Sequence, residues 1–430
     1  MTASLHSELV LPCGAILPNR IAKAAMTEGM ADVKDNPTQA LANLYHTWSE
    51  GGAGLLITGN VMIDRRYLER PGNVVLEDDQ AMPALRRWAA AGTAAGNHLW
   101  MQISHPGRQC ARIVSSQPVS PSDVQLKMLG NFAQPRAMTQ AEIEAAIAGY
   151  ARTATLAKEG GFTGVQIHAA HGYLISQFLS PTTNRRSDDW GGSLEHRARF
   201  LLRVVAAVRE AVGSEFPIGV KLNSADFQRG GFSLEDSAQV ASWLSEAGID
   251  LLEISGGTYE QLRLLGHGDD DSQDRDVRQS TRQREAYFLD YAQRIRQSCS
   301  VPLMVTGGFR SRLTMTEALA NEELEVIGLA RPLCGDPVIA RYLIGGQVDY
   351  APAYEQDLKL GTGLLGPASP IPLFKVINVQ GEVAWFYHQM LQLAQLKSPE
   401  RGLTVLPAFL KHMAREYFIG FRRRWHLRGS

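Results

Sequence analysis

The chain has 430 residues, and its 43 lysines and arginines nearly balance 44 aspartates and glutamates, for a formal net charge of −1. A chain of this length buries a large core without disulfide or metal staples, and its weak net charge gives no field that would attract nucleic acid. Its four cysteines form no C-x-x-C pair, which argues against an iron–sulfur cluster or structural zinc and favours a reducing compartment. With no secretory signal pattern and no run of about 18 uncharged apolar residues, we expect a cytoplasmic protein without a membrane span.

Short, nearly continuous apolar runs predict strands that are covered on both faces. In chain order they are Ile21–Met26, Gly54–Thr58, Leu99–Ile103, Gly164–Ile167, Ile218–Leu222, Leu251–Ile254, Leu303–Thr306 and Glu325–Leu329. Amphipathic helix patterns alternate with them: Ala40–Glu50, Met82–Ala95, Gln140–Glu159, Leu194–Val212, Glu235–Ala247, Glu285–Ser298, Arg312–Ala320 and Pro337–Ile344. This alternation predicts a closed α/β fold, the (β/α)8 TIM barrel. An open doubly wound sheet is the rival, but it normally has a Gly-rich phosphate turn after its first strand, and none is present there.

Three segments exceed the minimal barrel. Residues 107–138 are rich in Pro, Ser and Gln and predict an excursion after strand three, with a hairpin as one form of cap. Residues 256–284 include the acidic run GHGDDDSQDRD after strand six, and both excursions would lie at the mouth, where specificity loops belong. Amphipathic patterns over Gly381–Leu396 and Leu406–Phe421 predict two helices that pack on the barrel or on a partner subunit. The predicted domains are a barrel over residues 1–349 and a helical extension over residues 350–430.

The most informative stretch is the end of the fourth predicted strand, where His168, His171 and Tyr173 follow an apolar run. In a barrel this position is the mouth, where catalytic groups collect. Two imidazoles three residues apart can donate hydrogen bonds to a developing oxyanion, and a phenol two residues on can deliver a proton. The pattern alone leaves two alternatives open. One is a pair of structural histidines, and the other is a metal site that uses HxxH as two ligands, although no acidic or cysteine ligand lies close in sequence.

The run HAAHGYLISQFLSPTTNRRSDDWGGSLEHRARF resembles the segment after strand four of old yellow enzymes and related NADH:flavin oxidoreductases. The resemblance covers more than thirty residues, including loop positions that tolerate insertions. It implies a single-domain FMN enzyme, an ene reductase, in which NADH or NADPH reduces the flavin and the flavin reduces an activated alkene. It also implies that His168 and His171 bind the carbonyl or nitro oxygen of the substrate and that Tyr173 protonates Cα.

The resemblance extends to the first three strands. In this family the end of the first strand runs against the flavin, and here it consists of Ala24, Ala25, Met26 and Thr27. Thr27 matches the position whose side chain contacts flavin O4, with a helix or turn cap as its alternative role. Gly59 matches a small residue that lets the ring approach, and Gln102 matches the glutamine that hydrogen-bonds the pyrimidine side of the ring.

Lys221 ends the fifth predicted strand, where the family places Arg or Lys against flavin N1 and O2. A cation there stabilises the negative charge of the reduced flavin. A buried ion pair with Asp226 or Glu253 is the alternative role for this lysine.

The loops after strands seven and eight predict a phosphate site, because barrels often bind phosphate between these two loops. Glycines permit a close approach of backbone to ligand, and an arginine adds a charge-assisted contact. The residues concerned are Gly307, Gly308, Ala330 and Arg331.

Two features depart from the family pattern. A tyrosine common shortly after the Thr27 position is absent from Thr27-Glu28-Gly29-Met30, which puts the substrate preference in doubt. The chain also lacks the four-cysteine cluster and the second dinucleotide-binding region of larger relatives. We therefore expect electrons to pass from NAD(P)H to FMN within one active site.

The C-terminal end combines basic and aromatic side chains. The pattern favours a subunit contact, and hence a homo-oligomer, or a solvated terminus, with contact to a membrane surface as the alternative. The residues are Lys411, Arg415, Arg422, Arg423, Arg424 and Arg428 with Tyr417, Phe418, Phe421 and Trp425.

Two other functions stay open at this point. A metal-dependent barrel lyase or hydrolase could use His168 and His171 as ligands, and a flavin-binding protein could hold FMN without turnover.

Overall fold

Eight parallel strands close into a barrel in the computed structural model, which describes residues 3–127, 130–226, 228–255 and 289–429, with side chains described as far as residue 426. Each strand pairs with the next along the chain, and the eighth pairs with the first through Ile327 opposite Ile21. The predicted closed (β/α)8 barrel is therefore confirmed, and the open sheet is excluded. The barrel strands are β1 Ile21–Lys23, β2 Leu55–Ile57, β3 His98–Ser104, β4 Gly164–Ala169, β5 Ile218–Asn223, β6 Leu251–Ser255, β7 Leu303–Thr306 and β8 Val326–Leu329.

Helices follow the strands and cover the barrel. Two helices begin where predicted, at Gln140 and Leu194, and side chains cap both: Thr139 forms a capping box with Glu142, and the Ser193 side chain accepts from the His196 N–H. The helices are α1 Gln39–Ser49, α2 Met82–Gly92, α3 Gln140–Glu159, α4 Leu174–Leu179, α5 Leu194–Val212, α6 Leu234–Glu246, α7 over residues 289–296, α8 Arg312–Ala320, α9 Pro332–Gly335, α10 Ile339–Ile344, α11 Pro372–Ala394 and α12 Val405–Gly429.

An apolar plug fills the amino end of the barrel. The short antiparallel pair Leu9–Val10 and Ile16–Leu17 packs there against residues at the starts of the strands. Trp100 is fully buried at the centre, and a Cβ added to Gly164 or Gly219 would overlap its indole ring. Because these side chains occupy the lower half of the barrel, polar groups of the strands can meet a ligand only at the carboxyl end.

The first strand is shorter than predicted. It ends at Lys23, and the Ala24 N–H makes the last ladder bond to the Leu329 carbonyl at 2.8 Å. Beyond Ala24, hydrogen bonds that involve side chains replace the backbone hydrogen bonds between strands. The Glu28 carboxylate accepts from the Gly59 N–H at 2.9 Å, so the chain leaves the sheet towards the mouth.

The excursion after β3 contains a two-stranded pair, but it is not the predicted hairpin. Val119–Ser120 runs parallel to Arg136–Ala137. A parallel pair needs a crossover of about a dozen residues or more, and residues 121–135 supply one. The predicted acidic excursion over 256–284 lies outside the described residues.

The eighth predicted helix, Pro337–Ile344, begins two residues late as α10, and a short helix that was not predicted, α9, precedes it. Asp336 leaves the helical conformation, with φ −142° and ψ 87°, between α9 and α10. Pro337 explains the break, since proline has no N–H and restricts the residue before it.

The C-terminal extension packs α11 against α1 and α9, and α12 against α11. Both helices are longer than predicted. On its inner face, α12 holds two loops of the mouth. The Arg423 guanidinium makes a buried pair with Asp35, with N–O distances of 2.7 and 2.8 Å, and Arg70 pairs with Glu416 at 2.9 Å. In the described part of the chain no helix has both the length and the apolar character needed to cross a membrane.

Candidate active site

The end of β4 brings the two histidines and the tyrosine together as predicted. The His168 ring lies 5.1 Å from the His171 ring and 4.8 Å from the Tyr173 ring, both in edge-on arrangements. His168 and Tyr173 are buried, and His171 is half-buried. Tyr173 is the residue before α4, where the chain turns from the strand into the helix. The three side chains therefore form one cluster at the barrel mouth.

A tight turn holds His171 in an uncommon conformation. Its φ is +62°, in the left-handed region that few non-glycine residues adopt, and Gly172 follows with φ +76°. Two side chains hold the His171 backbone: Asn223 Oδ1 accepts from its N–H at 3.0 Å, and Gln109 Nε2 donates to its carbonyl at 2.9 Å. Left-handed conformations of this kind concentrate at functional sites, and neither Asn223 nor Gln109 was predicted from the sequence.

Both imidazoles are neutral. Burial lowers the pKa of His168 to about 3, and the Lys221 charge acts in the same direction. Burial, Lys221 and His168 hold the pKa of His171 well below its usual range. His168 Nδ1 accepts from the Ala170 N–H at 3.3 Å, so its proton is on Nε2, which is a donor. His171 Nε2 lies 2.8 Å from the Ser255 hydroxyl at the end of β6.

A buried polar chain crosses the mouth from β3 to β5. Gln102 Nε2 donates to Gln166 Oε1 at 2.8 Å, and Gln166 Nε2 donates to Glu253 Oε2 at 2.6 Å. Glu253 forms an ion pair with Lys221 at 2.7 Å, and both side chains are almost completely buried. Lys221 is opposite His168 in the sheet on one side and Glu253 on the other. Of the two carboxylates considered for Lys221, the ion pair is therefore with Glu253.

The Thr27 hydroxyl is oriented by two asparagines that the sequence did not single out. Asn73 Oδ1 accepts from the Arg70 N–H at 2.8 Å, so its amide nitrogen is left to donate to Asn60 Oδ1 at 3.2 Å. Asn60 Oδ1 also accepts from the Thr27 hydroxyl at 2.8 Å. Thr27 caps no helix. In this arrangement its single proton is used, and its lone pairs remain to accept from a ligand.

A buried chain of Lys23, Tyr45 and Glu28 lies in the wall between β1 and α1. The Lys23 ammonium donates to the Ile57 carbonyl at 2.7 Å and to the Tyr45 hydroxyl at 3.3 Å. Tyr45 in turn donates to the Glu28 carboxylate. Desolvation lowers the pKa of Lys23 to about 8 and raises the pKa of Glu28.

Glu28 belongs to the run Thr27-Glu28-Gly29-Met30, which lacks the tyrosine that is common in the family. A Cβ on Gly59 would overlap the Glu28 carboxylate and the Met26 carbonyl. The small residue at position 59 is therefore required by this carboxylate, and its approach to a flavin ring stays a prediction.

The loops after β7 and β8 combine features of a phosphate site. Gly307 and Gly308 have φ of +118° and +82°, in the region that favours glycine. The Thr306 hydroxyl beside them is buried and has no hydrogen-bond partner among the residues that the structure describes. Arg331 pairs with Glu382 of α11 at 3.3 Å, and Ala330 precedes it at the start of α9. An anion bound here would compete with that carboxylate for Arg331.

These residues fit FMN by the chemistry of their donors and acceptors. Lys221 offers a cation for the flavin ring, Gln102 an amide, and the glycine turn with Arg331 offers groups for the phosphate. In the described ranges, no group of three or more His, Cys, Asp or Glu side chains is arranged to hold a metal ion.

Comparison with known proteins gives consistent matches. Residues 14–346 match the NADH:flavin oxidoreductase / NADH oxidase family. The chain is 38% identical over 364 residues to the NADH-dependent flavin oxidoreductase iliE of Hypocrea jecorina, covering 79% of this chain and 89% of the relative. It is 29% identical over 325 residues to an NADPH dehydrogenase of Geobacillus sp., covering 75% and 89%. The solved structure of an old yellow enzyme homologue from Zymomonas mobilis superposes with a TM-score of 0.68 at 26% identity, covering 81% of this chain and 95% of that one.

The barrel, the groups at its mouth and these relatives define an α/β-barrel flavoprotein oxidoreductase. Within that class, the chain belongs to the NADH:flavin oxidoreductase / NADH oxidase family, which includes the old yellow enzymes, and the predicted resemblance is confirmed. Its cofactor is FMN, and NADH or NADPH is the hydride donor.

Proposed function

We propose that the protein reduces the C=C bond of a small activated alkene, such as an enone, a maleimide or a nitroalkene. The observation that supports this most directly is the cluster of His168, His171 and Tyr173, in which two neutral imidazoles and a phenol meet within about 5 Å at the mouth. Neutral imidazoles stabilise an oxyanion by hydrogen bonding without giving up a proton. A phenol can then serve as the separate proton donor.

The protein groups divide the work between binding and proton transfer. His168 donates through Nε2 to the carbonyl or nitro oxygen of the alkene, where negative charge develops. His171 supplies the second donor when the Ser255 hydroxyl donates a hydrogen bond to Nε2, because the imidazole proton is then on Nδ1. Tyr173 delivers a proton to Cα. When bound, FMN supplies the hydride that reaches Cβ, after taking it from NADH or NADPH.

Lys221 and Glu253 set the charge of the pocket. The Lys221 ammonium provides positive charge for the flavin ring, and its partner Glu253 keeps the buried pair neutral overall. The same ammonium lowers the pKa of both histidines. The Lys221 charge therefore acts on the flavin ring directly and on the substrate through the histidines that bind it.

Separate measurement of the two half-reactions tests the proposal. NADH or NADPH should bleach the flavin of the purified protein in a stopped-flow instrument, and 2-cyclohexenone or a maleimide should reoxidise it. Tyr173→Phe should slow reoxidation by about 100-fold or more, the usual contribution of a general acid, with flavin reduction almost unchanged. Tyr150→Phe is the matched control, because Tyr150 is a fully buried tyrosine of α3 that does not belong to the cluster of His168, His171 and Tyr173.

Two results would contradict the proposal. Bound flavin that neither nicotinamide reduces would make the protein a flavin-binding protein without turnover. Equal losses in both half-reactions for Tyr173→Phe would remove its role as proton donor, while leaving the reductase assignment in place.

A further inference from the structure

One face of α12 carries large apolar side chains that are exposed to solvent. Their exposed fractions range from 43% for Leu406 to 73% for Trp425. They recur at three-, four- and seven-residue spacings, which places them on one side of a helix. We call this set the α12 stripe: Leu406, Leu410, Tyr417, Phe418, Phe421 and Trp425.

The α12 stripe is larger than the apolar patches of ordinary soluble monomers. Aromatic side chains have about 150–250 Å² of surface each, so the exposed fractions leave roughly 700 Å² of apolar surface on the stripe. The largest patch of a typical monomer is about 300–600 Å² and is often functional. The stripe is also fixed in place, since Arg423 and Glu416 hold the opposite face of α12 to the mouth loops.

The charges beside the α12 stripe are positive. Arg422 and Arg424 are exposed on its two sides, and the Arg422 guanidinium lies 5.6 Å from the Phe418 ring. Lys411 is exposed as well, 3.9 Å from Glu400 in the preceding loop. Glu416 is the only acidic residue of α12, and it is turned inward to Arg70.

These charges decide between two occupants of the stripe. A second copy of the chain would bring the same arginines and no carboxylate from its own α12, so like charges would face each other. An anionic lipid surface offers what is missing: phosphate groups for the arginines and an acyl boundary for the aromatic and leucine side chains. Helices with an apolar face flanked by arginine and lysine lie in the plane of such a surface.

We propose that α12 docks the protein peripherally on membranes that contain anionic lipids. The stripe inserts into the headgroup and acyl boundary, and Arg422 and Arg424 contact lipid phosphates at the level of the headgroups. Docking needs no spanning segment, since α12 lies along the surface. The proposal does not depend on the alkene substrate.

Vesicle flotation with the full-length FMN-loaded protein tests the docking. The vesicles contain phosphatidylcholine alone or with about a third phosphatidylglycerol, at about 0.1 M salt. Protein should float with the anionic vesicles and remain unbound with the neutral ones. Arg422→Gln with Arg424→Gln should weaken binding about 30-fold, because each cation near an anionic surface contributes about fivefold.

Two further variants distinguish insertion of the α12 stripe from nonspecific hydrophobic adsorption to vesicles. Phe418→Ser with Phe421→Ser and Trp425→Ser should abolish flotation. Leu313→Ser with Tyr350→Ser is the matched control, because these residues are 57% and 58% exposed elsewhere on the protein, and it should float like the parent. Flavin content and NADH-dependent flavin reduction should be unchanged in every variant, which shows that the barrel is intact.

Three results would overturn the proposal. Equal flotation with neutral and anionic vesicles would remove the role of the arginines, and flotation of the triple serine variant would remove the role of the stripe. A dimer in sedimentation velocity that the triple serine variant dissociates would show that a second copy covers the stripe.

Discussion

Replacing Glu253 with glutamine removes the negative charge that faces the Lys221 ammonium and keeps the shape of the side chain. The pair is 2.7 Å apart, and its side chains are only 4% and 0% exposed. Removing one partner of such a pair leaves an uncompensated buried charge, at a cost of about 3–5 kcal/mol. For 430 residues, an unfolding entropy of about 2.1 cal/mol/K per residue converts that cost to a melting temperature roughly 3–6 °C lower.

A double-mutant cycle distinguishes the ion pair from packing. Lys221→Met should cost about as much as Glu253→Gln, since it leaves the carboxylate unpaired. The double variant should cost less than either single variant, because no buried charge remains. Gln166 can still donate to the glutamine oxygen at position 253.

Thermal unfolding should be measured without added FMN and again at one fixed excess of FMN, because a bound ligand raises the melting temperature by mass action. A Glu253→Gln melting temperature within 1 °C of the parent would refute the reasoning. So would a double variant that loses the sum of the two single losses.

Three other predictions follow from the site and its support. Ser255→Ala removes the hydrogen-bond partner of His171 Nε2. The variant should bind a phenolate ligand about 3- to 10-fold more weakly, the range for one hydrogen bond, while flavin reduction is unaffected. An unchanged affinity for the phenolate in a titration would show that Ser255 has no role in orienting His171. His168 has a pKa of about 3 when folded and 6.5 when unfolded, so the unfolded chain binds the proton first as the pH falls. The stability due to His168 is therefore full above pH 6.5 and is lost as the pH falls from 6.5 to 3. In the His168→Asn variant the melting temperature should fall less steeply over that pH range. A fall as steep as that of the parent protein would contradict the prediction. Arg423→Met leaves the buried Asp35 carboxylate unpaired and should speed hydrogen exchange of the backbone amides over residues 410–426. Replacing the exposed Arg422 by Met should leave those exchange rates unchanged. Equal exchange rates in the two variants would show that the Arg423–Asp35 pair does not hold α12 in place.

The fold was predictable because its signal is local and repeated. Each barrel strand is a short apolar run, and every predicted run contains or overlaps an observed strand. The errors arise where local patterns meet a tertiary constraint. Apolar Ala24–Met26 continues the β1 pattern, but side chains of Glu28 and Thr27 replace the ladder there.

The site was predictable only where a motif gathers its members within a few residues. His168, His171 and Tyr173 belong to one such motif. Lys221 was found because it is a charge at the end of an apolar strand, and Gln102 was found through the resemblance to the family. Their partners come from distant segments: Glu253 is on the next strand, Asn60 and Asn73 are in the loop after β2, and Ser255 ends β6. Glu253 was named only as one of two possible partners of Lys221. Nothing in the local sequence marks Asn60, Asn73 or Ser255 as members of the site, because their pairing exists only in the closed barrel.

The plug at the amino end of the barrel has a kinetic consequence. Trp100 and the strand pair Leu9–Val10 and Ile16–Leu17 fill that end, so in the described part of the molecule the mouth is the route to His168. In the proposed reaction, the nicotinamide and the alkene would have to enter through this mouth in turn, because each excludes the other. The alkene would then inhibit its own reduction at high concentration, and additional NADH or NADPH would relieve that inhibition.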